Sequence, residues 1–507
     1  PISGKATPES TRRRSEQSFA AEALKTLGDT GLTVTPVSFG AYRIIDEVET
    51  HQQALEEAIS SGINLIDTST NYTDGRSERL IGRVLTKLIK SENLQRDEIV
   101  IVSKIGYLQG QNLQRAQRRS PSYEELVEYG DELWHCMHPT FIHEQLTESL
   151  ERLGLGTLDV CLLHNPEYFL LHTQRVGGGT RPELEAEMRR RLREAFAQLE
   201  KERESGRISV YGVSSNTFVD KQTSFTTLSI SELVEIAREV GGDDHGFRVI
   251  QLPMNLLEAG ATQERNTGVN EAETPLEYAI SQKLGVLVNR PLNAIINGNI
   301  IRLTTPSVGD SKLEYIEALT ALNVVEQELR TRLTGEIYSQ GETFKLEDFF
   351  YFAVELENFA NQSHNATAWA EVEYRVVNMR LNRMVEFMQK NLQDAAAKAW
   401  QTLFPSYQRA LTDAIMSLRH RALVVSQNQA NEVNNSIENA IPESKHQAPL
   451  SQKALWLTHN VEGISSVLCG MRTPDYVRDV LALEDWPVQT TSVETLAEIQ
   501  KIEAALS

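Results

Sequence analysis

Cysteine is scarce in this chain of 507 residues, which has three, at Cys136, Cys161 and Cys469. Their wide spacing excludes a disulfide scaffold and a cysteine-rich metal site, and it is typical of a reducing compartment. We therefore expect a cytoplasmic protein. The segment 1–18 is rich in Ser, Thr and Arg and poor in acids, so an organelle such as a plastid or mitochondrion stays open as an alternative.

Long apolar runs and an excess of positive charge are also missing. No run approaches the roughly 20 apolar residues that a membrane-spanning helix needs, and the first residues contain no apolar segment of a secretory signal. We expect no membrane partner. The 50 Lys and Arg residues are outnumbered by 70 Asp and Glu residues, which gives a net charge of −20. Because that field opposes binding to a phosphate backbone, we expect no nucleic-acid partner.

Glycine-rich phosphate-binding motifs are absent as well. No Rossmann turn of the G-x-G-x-x-G type is present. The run Gly177–Gly179 is not followed by a Lys-Ser or Lys-Thr pair, so it lacks the residues that make a P-loop. This run predicts a flexible loop.

What the chain does have is a regular alternation of short apolar strands and amphipathic helices. Seven strand patterns precede residue 292, at intervals of roughly 25 to 50 residues, and most are continuously apolar. This alternation predicts a parallel sheet, and seven such strands favour an α/β fold of the closed (β/α)8 TIM barrel type. We interpret 1–20 as a flexible N-terminal tail and 21–293 as the barrel with its strands 1 to 7.

The eighth strand is delayed by about 150 residues, far more than a usual connection. Residues 294–450 contain almost no strand pattern, and their apolar residues recur with helical spacing, which predicts roughly four to six helices. The stretch 427–447 is rich in Asn, Gln and Glu, which indicates a loose connection. We interpret the block as a large all-helical insertion between strands 7 and 8, after which 451–507 complete the barrel.

Polar side chains follow the apolar strands. Asp67 and Tyr72 come after the second strand, and the next two strands end at Lys104 and His164. Taken alone, each has an ordinary structural explanation, such as a helix cap or a surface residue. A barrel, however, brings the carboxyl ends of its strands to one mouth, where ligands bind. The sequence therefore predicts that these four side chains lie together.

Six segments, in order, resemble the aldo-keto reductase family. They fall within about 25–295 and about 450–485 and read LGDTGLTVTPVSFGAYRI, NLIDTSTNYTDGRSERLIGRVL, IVSKIG, HPTFIHEQLTESLERLGLGTLDVCLLHNPE, LREAFAQLEKERESGRISVYGVSSN and GISSVLCGMRTPDYVRDVL. The resemblance implies an NAD(P)(H)-dependent oxidoreductase of this family. Such an enzyme transfers a hydride between nicotinamide and the carbonyl or alcohol carbon of an aldehyde, ketone or sugar.

The resemblance also implies catalytic roles for the four strand-end residues. Tyr72 is expected to be the general acid/base that protonates the carbonyl oxygen as the hydride arrives. Lys104 is expected to lower the pKa of Tyr72 from its usual value of about 10. Asp67 is expected to keep Lys104 charged, and His164 to orient the carbonyl by a hydrogen bond.

For the cofactor, the resemblance implies contacts with the nicotinamide, the pyrophosphate and the adenosine phosphate. The expected residues are Gly40, Ser215, Asn216, Gln251, Arg290, Leu292, Gly470, Arg472 and Arg478. The chain departs from NADP-binding relatives, because Gly470-Met471 stands where many have Lys-Ser. Since Arg472 and Arg478 remain as partners for a 2′-phosphate, NADP(H) is favoured modestly and NAD(H) stays possible.

Aromatic residues fall in the loops at the predicted mouth. Tyr42, Tyr107 and Trp134 are expected to line the substrate pocket, and packing within the loops is the alternative. The nearby histidines and cysteine match no zinc spacing, so no metal is expected; they are His135, Cys136, His138 and His143.

A second hypothesis gives the insertion the main role. According to this hypothesis, the chain is a nucleotide-sensing or partner-binding protein with slow catalysis. The insertion, residues 294–450, is then the surface for a protein partner or for self-association. A lid over the active site and a stabilising decoration are the alternatives for this block. The sequence does not identify the substrate within the carbonyl and sugar classes.

Overall fold

The computed structural model describes residues 1–310, 313–339, 342–362, 365–502 and 506. Eight parallel strands form a closed barrel, so the predicted (β/α)8 fold is confirmed. The strands are β1 Val37–Gly40, β2 Leu65–Asp67, β3 Val100–Ile105, β4 Leu158–His164, β5 Ile208–Ser214, β6 Phe247–Pro253, β7 Gly285–Asn289 and β8 Ser466–Cys469. Strands that follow each other in the chain are neighbours in the barrel, and β8 pairs with β1 to close it.

The barrel strands are mainly apolar because they are buried on both faces. All residues of β3 and β4 are buried, as expected for parallel strands that carry helices outside and a packed core inside. An antiparallel pair, Lys25–Thr26 with Thr33–Val34, carries Leu27 and Leu32 into this core. The backbone N–H of Asp29 donates to the Lys283 carbonyl at 2.8 Å, just before β7 begins. The pair therefore covers the amino end of the strands.

The helices of the barrel unit follow the strands in the expected alternation. They are α1 Pro8–Ser15, α2 Glu49–Ser60, α3 Arg76–Lys90, α4 Gly110–Arg118, α5 Pro139–Leu153, α6 Tyr168–Val176, α7 Arg181–Glu204, α8 Ile230–Gly241, α9 Gly260–Gln263 and α10 Pro275–Ser281. After the insertion come α16 Leu450–His459, α17 Pro474–Leu481 and α18 Val493–Gln500. In the part of the chain that the structure describes, every helix is too short or too polar to cross a bilayer.

The prediction of a flexible tail over 1–20 is wrong. This segment contains α1, which packs against the barrel through polar contacts. Ser10 Oγ donates to Asp97 Oδ2 at 2.7 Å, and Asn64 Nδ2 donates to the Thr11 carbonyl at 3.0 Å. Because the helix is held by hydrogen bonds to buried Ser and Thr rather than by an apolar stripe, its sequence resembles that of a solvated tail.

The chain divides into two compact units. The barrel unit comprises Pro1–Leu292 and Ala440–Lys501, and the second unit comprises Asn293–Asn439 and Ile502–Ser507. The second unit contains α11 Tyr315–Arg332, α12 Phe352–Gln362, α13 Ala366–Val372, α14 Met379–Asn391 and α15 Asp394–Ile437. The described residues thus contain five α-helices here, within the predicted range. They surround a core that includes Leu322, Phe350, Trp369, Met388 and Tyr407.

Two details of the predicted insertion are corrected. The second unit is not all-helical, because it contains the antiparallel pairs Asn293–Ile296 with Asn299–Arg302 and Glu336–Ser339 with Glu342–Lys345. The first pair turns through Asn-Gly, whose positive φ values suit a tight hairpin.

The predicted loose connection over 427–447 is also wrong in its first part, where α15 continues to its end. Ala430, Val433 and Ile437 are buried there at helical spacing, so the intervening polar residues form the outer face of a helix.

Candidate active site

The four strand-end residues lie at the carboxyl end of β2, β3 and β4. Asp67 ends β2, and His164 ends β4. Lys104 lies in β3, and Tyr72 opens the short helical turn after β2. The loop that carries Tyr72 is fixed to β3, because the backbone N–H of Thr68 donates to the Val102 carbonyl at 2.8 Å.

Lys104 connects the catalytic candidates. Its side chain is fully buried. Its Nζ donates to Asp67 Oδ2 at 2.7 Å, to the Thr68 carbonyl at 2.8 Å and to the Tyr72 hydroxyl at 3.0 Å. Burial alone would lower the pKa of Lys104, but Asp67 and Tyr72 outweigh it and raise the pKa above its usual value. The ammonium therefore stays charged next to the phenol.

The pKa of Tyr72 differs from the expected direction. Burial raises the pKa of this phenol above its usual value, and the positive charge of Lys104 opposes that rise without overcoming it. In the protein alone, Tyr72 is therefore a protonated phenol at neutral pH. A protonated phenol is the form that can donate a proton to a developing alkoxide.

His164 is a neutral imidazole beside the phenol. Its ring centroid lies 5.9 Å from that of Tyr72 and 4.6 Å from that of Tyr107. Burial, followed by the charge of Lys104, holds the pKa of His164 well below its usual value. Its Nδ1 lies 3.0 Å from Ser69 Oγ, so this contact fixes the ring and occupies one of its two nitrogens.

Gln251 contacts Asp67, one of the four catalytic candidates. Its expected role at the nicotinamide did not include this contact. Its Nε2 donates to Asp67 Oδ1 at 2.8 Å. Its Oε1 accepts from Ser214 Oγ at 3.1 Å and from Asn289 Nδ2 at 3.4 Å. Gln251 and Lys104 thus satisfy both oxygens of Asp67.

Ser215 and Asn216 lie next to this network, at the end of β5. Ser215 is buried and its Oγ lies 3.1 Å from Thr217 Oγ1. The side chain of Asn216 is exposed, and its backbone N–H donates to Glu167 Oε1 at 3.0 Å. The Asn216 side chain is therefore accessible at the end of β5, whereas the Ser215 side chain is enclosed.

Glu167 is a site residue that the sequence reasoning missed. It is buried, and its Oε2 has no hydrogen-bond partner among the described residues. Burial raises the pKa of this carboxyl to about 7, although its hydrogen bonds with the backbone act in the opposite direction. The only available sequence signal was its position three residues after His164.

The remaining cofactor candidates differ in how the structure places them. Arg290 follows β7 with a positive φ of 54°, pairs with Glu258 at 3.1 Å, and keeps an Nε without a partner among the described residues. Leu292 is half-buried two residues further on. A side chain added at Gly470 would meet nothing closer than the Gly40 carbonyl, at 4.0 Å. The backbone at Gly470 is therefore uncrowded on the side where a side chain would project.

The two arginines expected at a 2′-phosphate are not equivalent. Arg478 is engaged by two carboxylates, Glu57 at 3.1 Å and Asp475 at 2.7 Å. Arg472 is half-buried and takes part in none of the ion pairs between described residues. Arg472 is the better placed of the two for an anionic ligand.

The aromatic candidates differ in exposure and in their contacts with the four catalytic candidates. Tyr42 is 59% exposed, and its ring lies 5.0 Å from that of Tyr72. Tyr107 is buried beside His164 and accepts a hydrogen bond from Asn165 Nδ2 at 2.9 Å. Trp134 lies opposite Leu108 on a neighbouring short strand. A fourth aromatic, Tyr168, packs 5.2 Å from Tyr107 and was not predicted.

The histidines that resembled metal ligands serve other contacts. His135 Nε2 donates to the His164 carbonyl at 2.7 Å, and burial lowers the pKa of His135 to about 4. His143 Nδ1 lies 2.7 Å from Glu202 Oε1. His138 caps α5 through the Thr140 N–H at 3.4 Å. Cys136 is buried beside the Glu124 carbonyl.

The closed barrel thus has Asp67, Tyr72, Lys104 and His164 at the carboxyl end of its strands. Residues 36–278 match the model of the aldo/keto reductase family. Over this segment, which contains strands β1 to β6, the chain is similar to that family.

Among curated proteins, the chain is 32% identical over 109 residues to an NADH-specific methylglyoxal reductase of Escherichia coli, covering 21% of this chain and 28% of the relative. It is 24% identical over 284 residues to a 6-dehydroglucose reductase of Novosphingobium aromaticivorans, covering 52% of this chain and 78% of the relative. A solved structure of an aldo-keto reductase from Bacillus halodurans is 15% identical, with a TM-score of 0.45 over 94% of this chain and 95% of the other. The chain thus matches less than a third of the methylglyoxal reductase's length.

Proposed function

We propose that this protein is an NAD(P)(H)-dependent oxidoreductase that transfers a hydride between nicotinamide and the carbonyl or alcohol carbon of an aldehyde, ketone or sugar. The single observation that carries the proposal is Lys104 Nζ, which lies within hydrogen-bond distance of both Asp67 and the Tyr72 hydroxyl. The match of residues 36–278 to the aldo/keto reductase family model and the similarity to reductases support the same class of reaction.

The bound nicotinamide would supply or accept the hydride. The protein's part is proton transfer and orientation. Tyr72 holds its proton at neutral pH and donates it to the carbonyl oxygen as negative charge develops there. Lys104 stabilises the phenolate that remains, and Asp67 fixes the ammonium. Oxidation of an alcohol runs through the same contacts in reverse.

His164 orients the carbonyl. Since its Nδ1 is occupied by Ser69, its Nε2 is the nitrogen that remains for a carbonyl oxygen. Because its pKa lies well below the usual value, His164 is a neutral imidazole across the neutral pH range, and it donates from Nε2 in the tautomer whose Nδ1 accepts from Ser69 Oγ. Tyr42 and Tyr107 would then form two walls around the reacting carbon.

The cofactor assignment rests on the polar atoms that lack partners beside this constellation. Glu167 Oε2, Asn289 Oδ1 and Arg290 Nε are buried without hydrogen-bond partners among the described residues, and buried polar atoms of this kind fit a polar ligand. Arg472 favours NADP(H) modestly. The methylglyoxal relative is named as NADH-specific, so NAD(H) stays the alternative.

The function is tested by titrating the full chain with NADPH and NADH and then assaying an aldehyde, ketone and sugar panel with the preferred cofactor. We expect saturable binding of at least one cofactor and turnover of at least one carbonyl substrate. Cofactor binding without turnover of any panel member would favour the second candidate.

The second candidate is a nucleotide-sensing or partner-binding protein that uses the second unit as its interaction surface. Of the 18 large apolar side chains that are exposed among the described residues, 11 lie in the second unit. Ile316 and Val324 project from α11 and are 62% and 60% exposed. Light scattering of the wild type and of Ile316→Glu/Val324→Glu tests it, because lost association with retained turnover assigns these residues to an interface.

A further inference from the structure

A cavity of about 270 Å³ lies inside the second unit. Its walls come from the first hairpin, from α12, α13 and α15, and from Leu506. Much of the lining is apolar, with Leu418, Ala422 and Val425 along one side of α15. The barrel site does not include any of these residues, so the cavity needs an explanation of its own.

Two polar side chains in this lining are unsatisfied. Trp369 is 1% exposed, and its indole Nε1–H has no hydrogen-bond partner among the described residues. Arg421 Nη1 is also buried without such a partner. Both groups can only donate. An unpaired buried donor is costly, and native proteins rarely leave one without a protein, water or ligand acceptor.

Two further polar side chains at the cavity already have hydrogen-bond partners. Asn365 Nδ2 donates to the Ile300 carbonyl at 2.9 Å, and its Oδ1 accepts from the N–H groups of Thr367 and Ala368. Gln429 Nε2 donates to the Leu506 carbonyl at 3.2 Å. The buried atoms of this lining that lack a partner among the described residues are therefore two donors, one of them cationic.

The cationic donor is held in place. The Arg421 guanidinium carbon lies 4.5 Å from the centroid of the Tyr315 ring, a stacking contact that restrains the side chain. Arg421 takes part in none of the ion pairs between described residues, so its charge lacks a carboxylate partner there. A guanidinium in this state favours a carboxylate above neutral acceptors.

We propose that this cavity binds a small organic carboxylate with an aliphatic body. The carboxylate accepts hydrogen bonds from Arg421 Nη1 and Trp369 Nε1, and the aliphatic chain packs against Leu418, Ala422 and Val425. This site is separate from the barrel chemistry, and it stands whether or not the barrel reduces carbonyls.

The test is calorimetric titration of the full chain with octanoate, and with 1-octanol as the neutral probe of equal chain length. We expect octanoate to bind at least about tenfold more tightly than octanol, because charge-assisted hydrogen bonds are stronger than neutral ones. Trp369 emission should change on titration with octanoate and return when the ligand is removed.

Arg421→Met and Trp369→Phe keep the apolar bulk and remove one donor each. We expect Arg421→Met to weaken octanoate binding at least about tenfold and to leave octanol binding unchanged. Arg409→Met is the matched control, since Arg409 is exposed on the same helix.

Equal binding of octanoate and octanol to the wild type would overturn the proposal and make the cavity merely apolar. Undetectable binding of octanoate at millimolar concentration would overturn it as well. Both results come from the unmodified protein, so the test does not depend on whether the variants fold.

Discussion

The buried pair of Lys104 and Asp67 gives the most quantitative prediction. Lys104→Met removes three hydrogen bonds from a fully buried ammonium and leaves Asp67 with Gln251 as its remaining partner. Breaking one side of a buried ion pair costs about 3–5 kcal/mol, because the other charge is left uncompensated. We expect Asp67→Asn to cost a similar amount, since Lys104 is then the uncompensated charge.

The double variant distinguishes this explanation from simple loss of packing. In Lys104→Met/Asp67→Asn neither charge remains, so the loss should be smaller than the sum of the single losses by about 2–3 kcal/mol. Urea unfolding is followed by hydrogen exchange of peptides that cover β2 and β3, which report on the barrel unit. A double variant whose loss equals the sum would refute the assignment of Lys104 and Asp67 as an interacting charged pair.

Three further predictions concern Glu167, the adenosine phosphate end and the N-terminal helix. The pKa of Glu167 is raised from 4.5 to about 7. Ionisation of its carboxyl therefore destabilises the native state: the penalty is absent below the unfolded pKa of 4.5, grows as the pH rises, and is complete above the folded pKa of about 7. Glu167→Gln should therefore gain up to about 3 kcal/mol on the wild type as the pH rises through this window, and a pH-independent difference in unfolding free energy would contradict the assignment. Arg472→Ala should lower the preference for NADPH over NADH at least about tenfold while Arg478→Ala leaves it nearly unchanged, as measured by cofactor titration. Asn64→Leu removes a buried amide that bonds Thr11, Thr33 and Thr35; it should lower the free energy of unfolding by about 2–3 kcal/mol, whereas a loss below about 0.5 kcal/mol would show that these bonds do not hold α1.

The barrel was predictable because its strands carry their own signal. Parallel strands that are buried on both faces are mainly apolar, as residues 100–102 of β3 and 160–163 of β4 are, and the polar residues after these runs mark where the barrel mouth begins. The positions of Asp67, Lys104 and His164 follow from this pattern alone. Their catalytic roles come from the family resemblance and stay predictions.

The parts that could not be predicted depend on contacts between distant residues. Helix α1 is fixed by Asn64 and Asp97, which lie more than 50 residues away in the chain, so its own composition does not reveal its packing. The contact of Gln251 with Asp67 joins β6 to β2 across the barrel. The burial of Glu167, which moves its pKa, is a property of the folded loop and has no local sequence signal.

We propose Tyr72 as the acid/base of a hydride transfer. This role is tested by single-turnover oxidation of the reduced cofactor by the best carbonyl substrate, compared between wild type and Tyr72→Phe. We predict that the rate falls by about 10²–10⁴-fold, while the Kd of the cofactor changes less than about twofold because the phenyl ring keeps its place beside Tyr42 and His164. A variant that turns over at the wild-type rate would contradict the claim.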